Sequence, residues 1–249
     1  FLLSNINDLE ELVDVKDLGL LDKWILTKAK RVFKEIEDAF RVYEFSKGLN
    51  KLNNFLVADL SNSYMDICKD RLYCDKKDDI RRRGAQTAMA IIAKKLFSTL
   101  ACILTYTVDE LISYSPKVVK DEMNDVFDLV TYEIPEIESS LNDEHLLNAK
   151  VKFSEAIDTL KKEKIIKSTL ELDLYTNSDE ILNIPTTEAQ DWFLISALCN
   201  KKDDALISFE IDGKTFEAYK AKDAKCPRCW KFNAPDEETL CKRCESALS

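Results

Sequence analysis

The chain has 249 residues, 45% of them hydrophobic and 33% charged, with a formal net charge of −10. That balance is expected of a soluble globular chain, long enough to bury a core as one large domain or two to three small ones. No apolar run approaches the roughly 18 residues of a membrane span, and Phe1-Leu2-Leu3 passes at once into polar and acidic residues, so a secretory leader is not expected. The missing initiator Met and abrupt apolar start read as a segment cut from a longer chain.

Residues 20–115 read as long helices. Leu21, Ile25, Ala29, Val32, Phe33, Ile36 and Phe40 keep helical spacing on one face. A second helix is predicted to open near Ser46 as cap and to turn Leu49, Leu52, Phe55, Leu56, Leu60, Tyr64 and Ile67 inward. A third starts at Asp78 or Asp79 and carries Ala88, Ile91, Ile92, Leu96, Ile103 and Leu104 as its stripe. Thr107-Val-Asp-Glu110 has the form of a capping box restarting a short helix before Pro116. The expected product is an antiparallel helical bundle over 1–116.

An acidic connector follows over 117–141. From 142 to 221 the pattern becomes that of a small α/β unit: a helix over 142–164, an alternating strand over 170–175, and a helix over about 187–199. Ile207–Ile211 and Lys214–Ala218 then flank Asp212-Gly213, a hairpin with a two-residue turn. The last segment, 222–249, contains the cysteine pairs. The predicted fold is mainly α, ending in a four-cysteine zinc knuckle.

Charge is unevenly spread. Asp121 to Glu144 holds nine acids and no Lys or Arg, whereas Lys69–Lys95 has nine basic residues against four acids and Lys220–Arg243 seven against four. Two basic islands in an acidic chain point to anionic partners more than the total charge argues against them.

Cys226-Pro-Arg-Cys229 and Cys241-Lys-Arg-Cys244 form a C-x2-C…C-x2-C pattern. Two such knuckles complete a sulfur tetrahedron around zinc, with no open position, so the ion is read as structural. About 25 residues bury too little apolar surface to fold unaided, and metal would supply the difference. Two disulfides are the competing reading, disfavoured by the absence of a leader. A redox role is weaker still, because neither pair is expected at a helix start after a strand. Cys68, Cys74, Cys102 and Cys199 read as buried or surface thiols.

Trp230 follows Cys229, with Lys225, Arg228, Lys231, Lys242 and Arg243 interleaved. An exposed aromatic among cations suits stacking on an unpaired base. Trp230 packed on its own knuckle as a miniature core is equally compatible with the sequence. Arg81-Arg82-Arg83 opens a helix, where phosphate is welcome, although a solvated face accounts for it too. No catalytic constellation is visible, since His145 is the only histidine and no Gly-rich phosphate loop occurs. A protein–protein adaptor built on a bundle and a knuckle is the main rival to nucleic-acid binding.

Taken in order, Phe1-Leu-Leu-Ser-Asn, Leu21-Asp-Lys-Trp24, Tyr64-Met-Asp-Ile, Lys69-Asp-Arg-Leu-Tyr73, Arg82-Arg-Gly-Ala-Gln-Thr87, Thr107-Val-Asp-Glu110, Ser168-Thr-Leu-Glu171 and Lys225-Cys-Pro-Arg-Cys-Trp230 resemble the C-terminal part of bacterial-type isoleucyl-tRNA synthetases. The resemblance runs nearly end to end. It departs at Ile165-Ile-Lys167, where the family usually carries glycine, and at Leu104–Thr107, where a proline is common. It implies an anticodon-binding bundle that grips the anticodon stem-loop of tRNA(Ile) through Lys69, Arg71, Arg81, Arg82 and Arg83. It also implies a zinc module that closes on the loop through Trp230, Arg228 and Lys231. The cofactor implied here is one structural Zn²⁺; ATP, the catalytic fold and the editing domain belong upstream of Phe1, so unaided tRNA binding is expected to be weak. A cytoplasmic monomer is expected, with the acidic connector turned away from RNA.

Overall fold

The computed structural model describes residues 1–121, 123–129, 131–137 and 143–248, with backbone alone at 143 and 144. Its contacts group the chain into two compact units, Phe1–Leu72 with Lys77–Ser139, and Tyr73–Lys76 with Ser140–Ser249. No described helix is long and apolar enough to cross a membrane.

The first unit is helical. A short α1 (Leu2–Asn5) precedes α2 (Leu20–Arg41), whose buried Leu21, Ile25, Ala29, Phe33 and Ile36 form the expected stripe. The next helix, α3 (Phe45–Asn54), is preceded by Glu44 as N-cap, so Ser46 is not the cap. The helix widens over Phe55–Met65 into π-type turns and continues as α4 (Asp66–Cys74). Leu52, Phe55, Leu60, Tyr64 and Ile67 are buried as the spacing predicts and Met65 joins them, whereas Leu49, on α3 before the wider turns, is exposed. Asp79 accepts from the Arg81 amide and caps α5 (Ile80–Leu100), as its sequence position predicts.

Then α6 (Thr105–Tyr114) starts two residues before the expected capping box. Its N-cap is Leu104, and Thr107 lies inside the helix, because the Val108 amide already donates to the Leu104 carbonyl at 2.9 Å. The connector residues that follow include α7 (Lys117–Lys120) and bury Val119, Val126 and Ile134. Lys95, 2% exposed on α5, binds the Tyr132 carbonyl and the Glu37 and Glu133 carboxylates. The remainder of the predicted connector, 138–141, lies outside the described residues, as does the predicted helix start at 142.

Helices α2, α3 and α5 pack side by side, and a buried polar hub ties three helical segments together. Asp22 on α2 receives Arg71 of α4 at 3.0 and 3.1 Å and the Tyr64 hydroxyl at 2.6 Å. Burial, reinforced by the Asp22 charge, holds the Tyr64 hydroxyl protonated well above its ordinary range, so it remains a donor. Gly84 lets α5 approach the hub: a Cβ there would lie 2.9 Å from Asp22 Oδ2.

The second unit packs α8 (Asp143–Lys162) against a four-stranded sheet of order β2-β1-β4-β3. Ser168 and Glu171 make a reciprocal capping box that turns the chain into β1 (Leu172–Thr176), two residues later than the predicted strand start. Two helices follow, α9 (Asp179–Leu182) and α10 (Thr186–Phe193); the second ends where Leu194 turns left-handed, well before residue 199. A short β2 (Ala197–Leu198) then pairs parallel with β1. The hairpin of β3 (Ile207–Ile211) and β4 (Lys214–Lys220) forms as read. Asp212 and Gly213 both adopt positive φ, 51° and 74°, as a two-residue hairpin turn requires. Phe153, Phe193, Phe209 and Phe216 interlock between α8, α10 and the hairpin, with centroids 5.3 to 6.5 Å apart.

The hub yields a stability test. Asp22→Ala leaves the Arg71 guanidinium buried without its carboxylate, and denaturant unfolding is expected to show a loss of about 3–5 kcal/mol. A change below about 1 kcal/mol would show that the hub is not a structural requirement.

Candidate metal centre and nucleic-acid interface

In the second unit the chain turns into β5 (Ala224–Lys225), which pairs with β6 (Phe232–Ala234), and the knuckle between them carries the first cysteine pair. The Cys226 amide donates to Lys231 O at 2.9 Å and the Trp230 amide to Cys226 O at 3.0 Å, so residues 226–231 fold back on themselves. Cys241 precedes α11 (Lys242–Leu248), and Cys244 sits in its first turn. The second pair therefore does open a helix, contrary to the sequence reading, because the Cys241 carbonyl accepts from the Glu245 amide at 2.9 Å.

The four sulfurs of Cys226, Cys229, Cys241 and Cys244 lie within 4.8 Å of one another, and all four residues are buried. Cys229 and Cys241 are 3.8 Å apart, far beyond a bonded pair, and no disulfide joins any cysteines among the described residues. Burial opposes charge on Cys226, yet the amides of Cys229, Cys241 and Arg228 outweigh it and bring the thiol down to about 6. Burial pushes Cys229 and Cys244 up, and repulsion from neighbouring sulfurs adds to it. One thiolate is stabilised while its neighbours resist ionisation; a shared cation reverses that repulsion. The group is positioned to hold a metal ion.

Cys74 joins this cluster from outside the motif. It is 6% exposed and packs with the four cysteines, Ala234 and Leu240. Beside it, Arg228 donates to the Cys74 carbonyl at 2.6 Å and to Tyr73 O at 3.2 Å, and Arg243 pairs with Asp75 at 3.2 Å. Lys231 is buried and paired with Asp191 at 3.1 Å. Arg228 and Lys231 thus flank the knuckle with both cations engaged by protein.

Trp230 stands between them with φ at 65° and is 61% exposed, so it is not the knuckle's miniature core. Lys225 lies over its ring, 5.1 Å from the centroid. The ring borders a cleft of about 560 Å³ reached by Lys164, Lys167, Lys220 and Lys225. Of these, Lys225 was singled out in the sequence beside Trp230, and Lys164, Lys167 and Lys220 were not. Their signal was weak, since three come from three separate elements, although Lys220 and Lys225 fall within a basic island.

The bundle cations divide in the same way. Arg71 is buried on Asp22. Arg82 holds Asp8 at 2.8 Å, and Arg83 binds the Asp8 carbonyl and Gln86. Lys69 is exposed and paired with Asp66 at 2.8 Å, and the half-buried Arg81 stands in the first turn of α5. His145 bridges Asp212 at 3.2 Å and Ser178 at 3.1 Å, an arrangement reminiscent of a hydrolytic triad. Ser178 is 0% exposed and donates to Glu180, so the bridge pins α8 to the hairpin turn and presents no nucleophile to solvent.

Residues 22–176 match the family model of the anticodon-binding domain of tRNA ligase. Over the whole chain, 64% of residues are identical to an isoleucine–tRNA ligase of Aliarcobacter butzleri, 51% to one of Campylobacter concisus and 47% to one of Sulfurovum sp.. The chain spans 27% of the length of each of these relatives. With more than half of its residues matched by the family model, the chain belongs to the anticodon-binding domain family of tRNA ligases.

Proposed function

We propose that this chain is the tRNA-recognising C-terminal region of an isoleucine–tRNA ligase, and that its four cysteines hold one structural zinc ion. The names of the relatives support the choice of isoleucine and of tRNA(Ile). The longer protein would attach isoleucine to that tRNA using ATP in the cytoplasm, with the chemistry carried out outside this chain.

The donor set favours zinc. Metal–sulfur bonds of about 2.3 Å in a tetrahedron place sulfurs about 3.8 Å apart, which matches the spacing of Cys229 and Cys241. Zinc supplies charge neutralisation and folding energy here, and four thiolates leave it no open position for catalysis. The cysteines would hold it, while the amides pointing at Cys226 stabilise the first thiolate.

The observation that carries the RNA reading is Trp230: exposed at 61%, left-handed in backbone, one residue past a metal-site cysteine, with Lys225 over its ring. An aromatic held out of the core in this way suits stacking on an unpaired anticodon-loop base. Arg228 and Lys231 would serve RNA by fixing the knuckle that presents Trp230, through Cys74 and Asp191. In the bundle, Lys69 and Arg81 are the proposed phosphate contacts. Arg71, Arg82 and Arg83 would act by holding the helices that present them.

Titrating the metal-loaded chain into tRNA(Ile) and a non-cognate tRNA at two salt concentrations tests this reading. Preferential binding of tRNA(Ile), weakened by salt, is expected; absence of binding to either, in this chain and in the longer protein, would favour the adaptor instead. Trp230→Ala is expected to weaken tRNA binding about 5- to 150-fold, the equivalent of 1–3 kcal/mol, with metal content unchanged. Unchanged affinity with intact metal would remove Trp230 from the interface.

A further inference from the structure

The cleft beside Trp230 has a composition that separates two kinds of RNA contact. Its reachable charges are the ammonium groups of Lys164, Lys167, Lys220 and Lys225, and its aromatic walls are Trp230 and Phe232. Lys164, Lys167, Lys220 and Lys225 are all exposed, and among the described residues no carboxylate lies within ion-pair distance of the first three. Lys164 reaches the cleft from the left-handed residue that follows α8, with φ at 60°.

The lining contains one carboxylate, Glu171, and it is already engaged. Its Oε1 accepts from the Lys167 amide at 2.8 Å and the Ser168 amide at 3.1 Å. The Ser168 hydroxyl in turn accepts from the Leu170 amide at 3.2 Å. The capping box thus fixes the two side chains that could accept a hydrogen bond from a base amino group. Glu171 Oε1 is thereby turned to the backbone, and the four ammonium groups, which only donate, outnumber the single carboxylate of the lining.

We infer that this cleft takes one nucleotide of a single-stranded RNA by its phosphates and by stacking, and contributes affinity without choosing the base. The inference rests on the RNA reading above and assigns the Lys164, Lys167 and Lys220 side chains to it. The volume, about 560 Å³, falls within the ~300–1,000 Å³ of sites for small ligands, enough for one nucleotide and not for a duplex. Ammonium groups neutralise phosphates irrespective of sequence, and every base offers a face to an aromatic ring.

The test uses the whole metal-loaded chain and a set of RNA stem-loops, each differing at one loop base. Affinities are measured over a range of salt for the wild type and for the triple variant Lys164→Gln, Lys167→Gln, Lys220→Gln, with circular dichroism to confirm that the variant is folded. The expected result is a loss of the same factor for every stem-loop and a slope of log affinity against log salt reduced by about 0.7 to 1.4, near 0.7 for each of the one or two phosphates that flank a nucleotide. A loss confined to stem-loops with one particular base would overturn the inference and make the cleft a base reader. An unchanged slope in the variant, with the wild type binding RNA, would overturn the cleft assignment alone. Failure of the wild type to bind any stem-loop at low salt would overturn this inference together with the reading beneath it.

Discussion

Four cysteine sulfurs within 4.8 Å of one another set the terms for the C-terminal end of this chain. Without a cation, burial and mutual repulsion hold two of them neutral and leave Cys226 as the group that ionises most readily. The fragment around them has two short strands and one short helix, too little apolar surface to fold by itself. A metal ion would resolve both difficulties at once. The knuckle is a left-handed turn from which Trp230 projects, braced by Arg228 on one side and the Lys231–Asp191 pair on the other.

The cations show how residue type and residue role separate. Read as sequence, Arg71, Arg82, Arg83, Arg228 and Lys231 looked like a nucleic-acid surface. In the folded chain each of them is engaged by a carboxylate or a carbonyl, and Arg71 and Lys231 are buried. A basic island in sequence has two physical outcomes, solvated face or internal counter-charge, and local spacing does not distinguish them. Asp8, Asp22 and Asp191 decide it, and they lie 40 or more residues away from Arg82, Arg71 and Lys231.

Much of the fold was nevertheless legible. The helical stripe of α2, the Asp79 cap and the Asp212-Gly213 hairpin are set by spacing and local hydrogen bonding, and they appear where the sequence places them. The four-cysteine cluster was legible for the same reason, since each C-x2-C pair needs only a local turn. The readings that failed depend on context. The Thr107 box was a false start because α6 had already begun. The Ser46 cap gave way to an earlier helix start, and Leu49 faces outward from α3. Cys74, the bridge through His145 and the lysine cleft bring together residues from separate elements, and no local pattern announces them.

If a metal ion held by the four cysteines keeps Trp230 in an RNA-binding position, RNA affinity must depend on the metal. The most direct test of that dependence is RNA affinity measured before metal removal, after removal by a chelator with metal content assayed, and after zinc is restored. Affinity is expected to fall when the metal leaves and to return with zinc. Affinity unchanged in protein shown to be metal-free would contradict it.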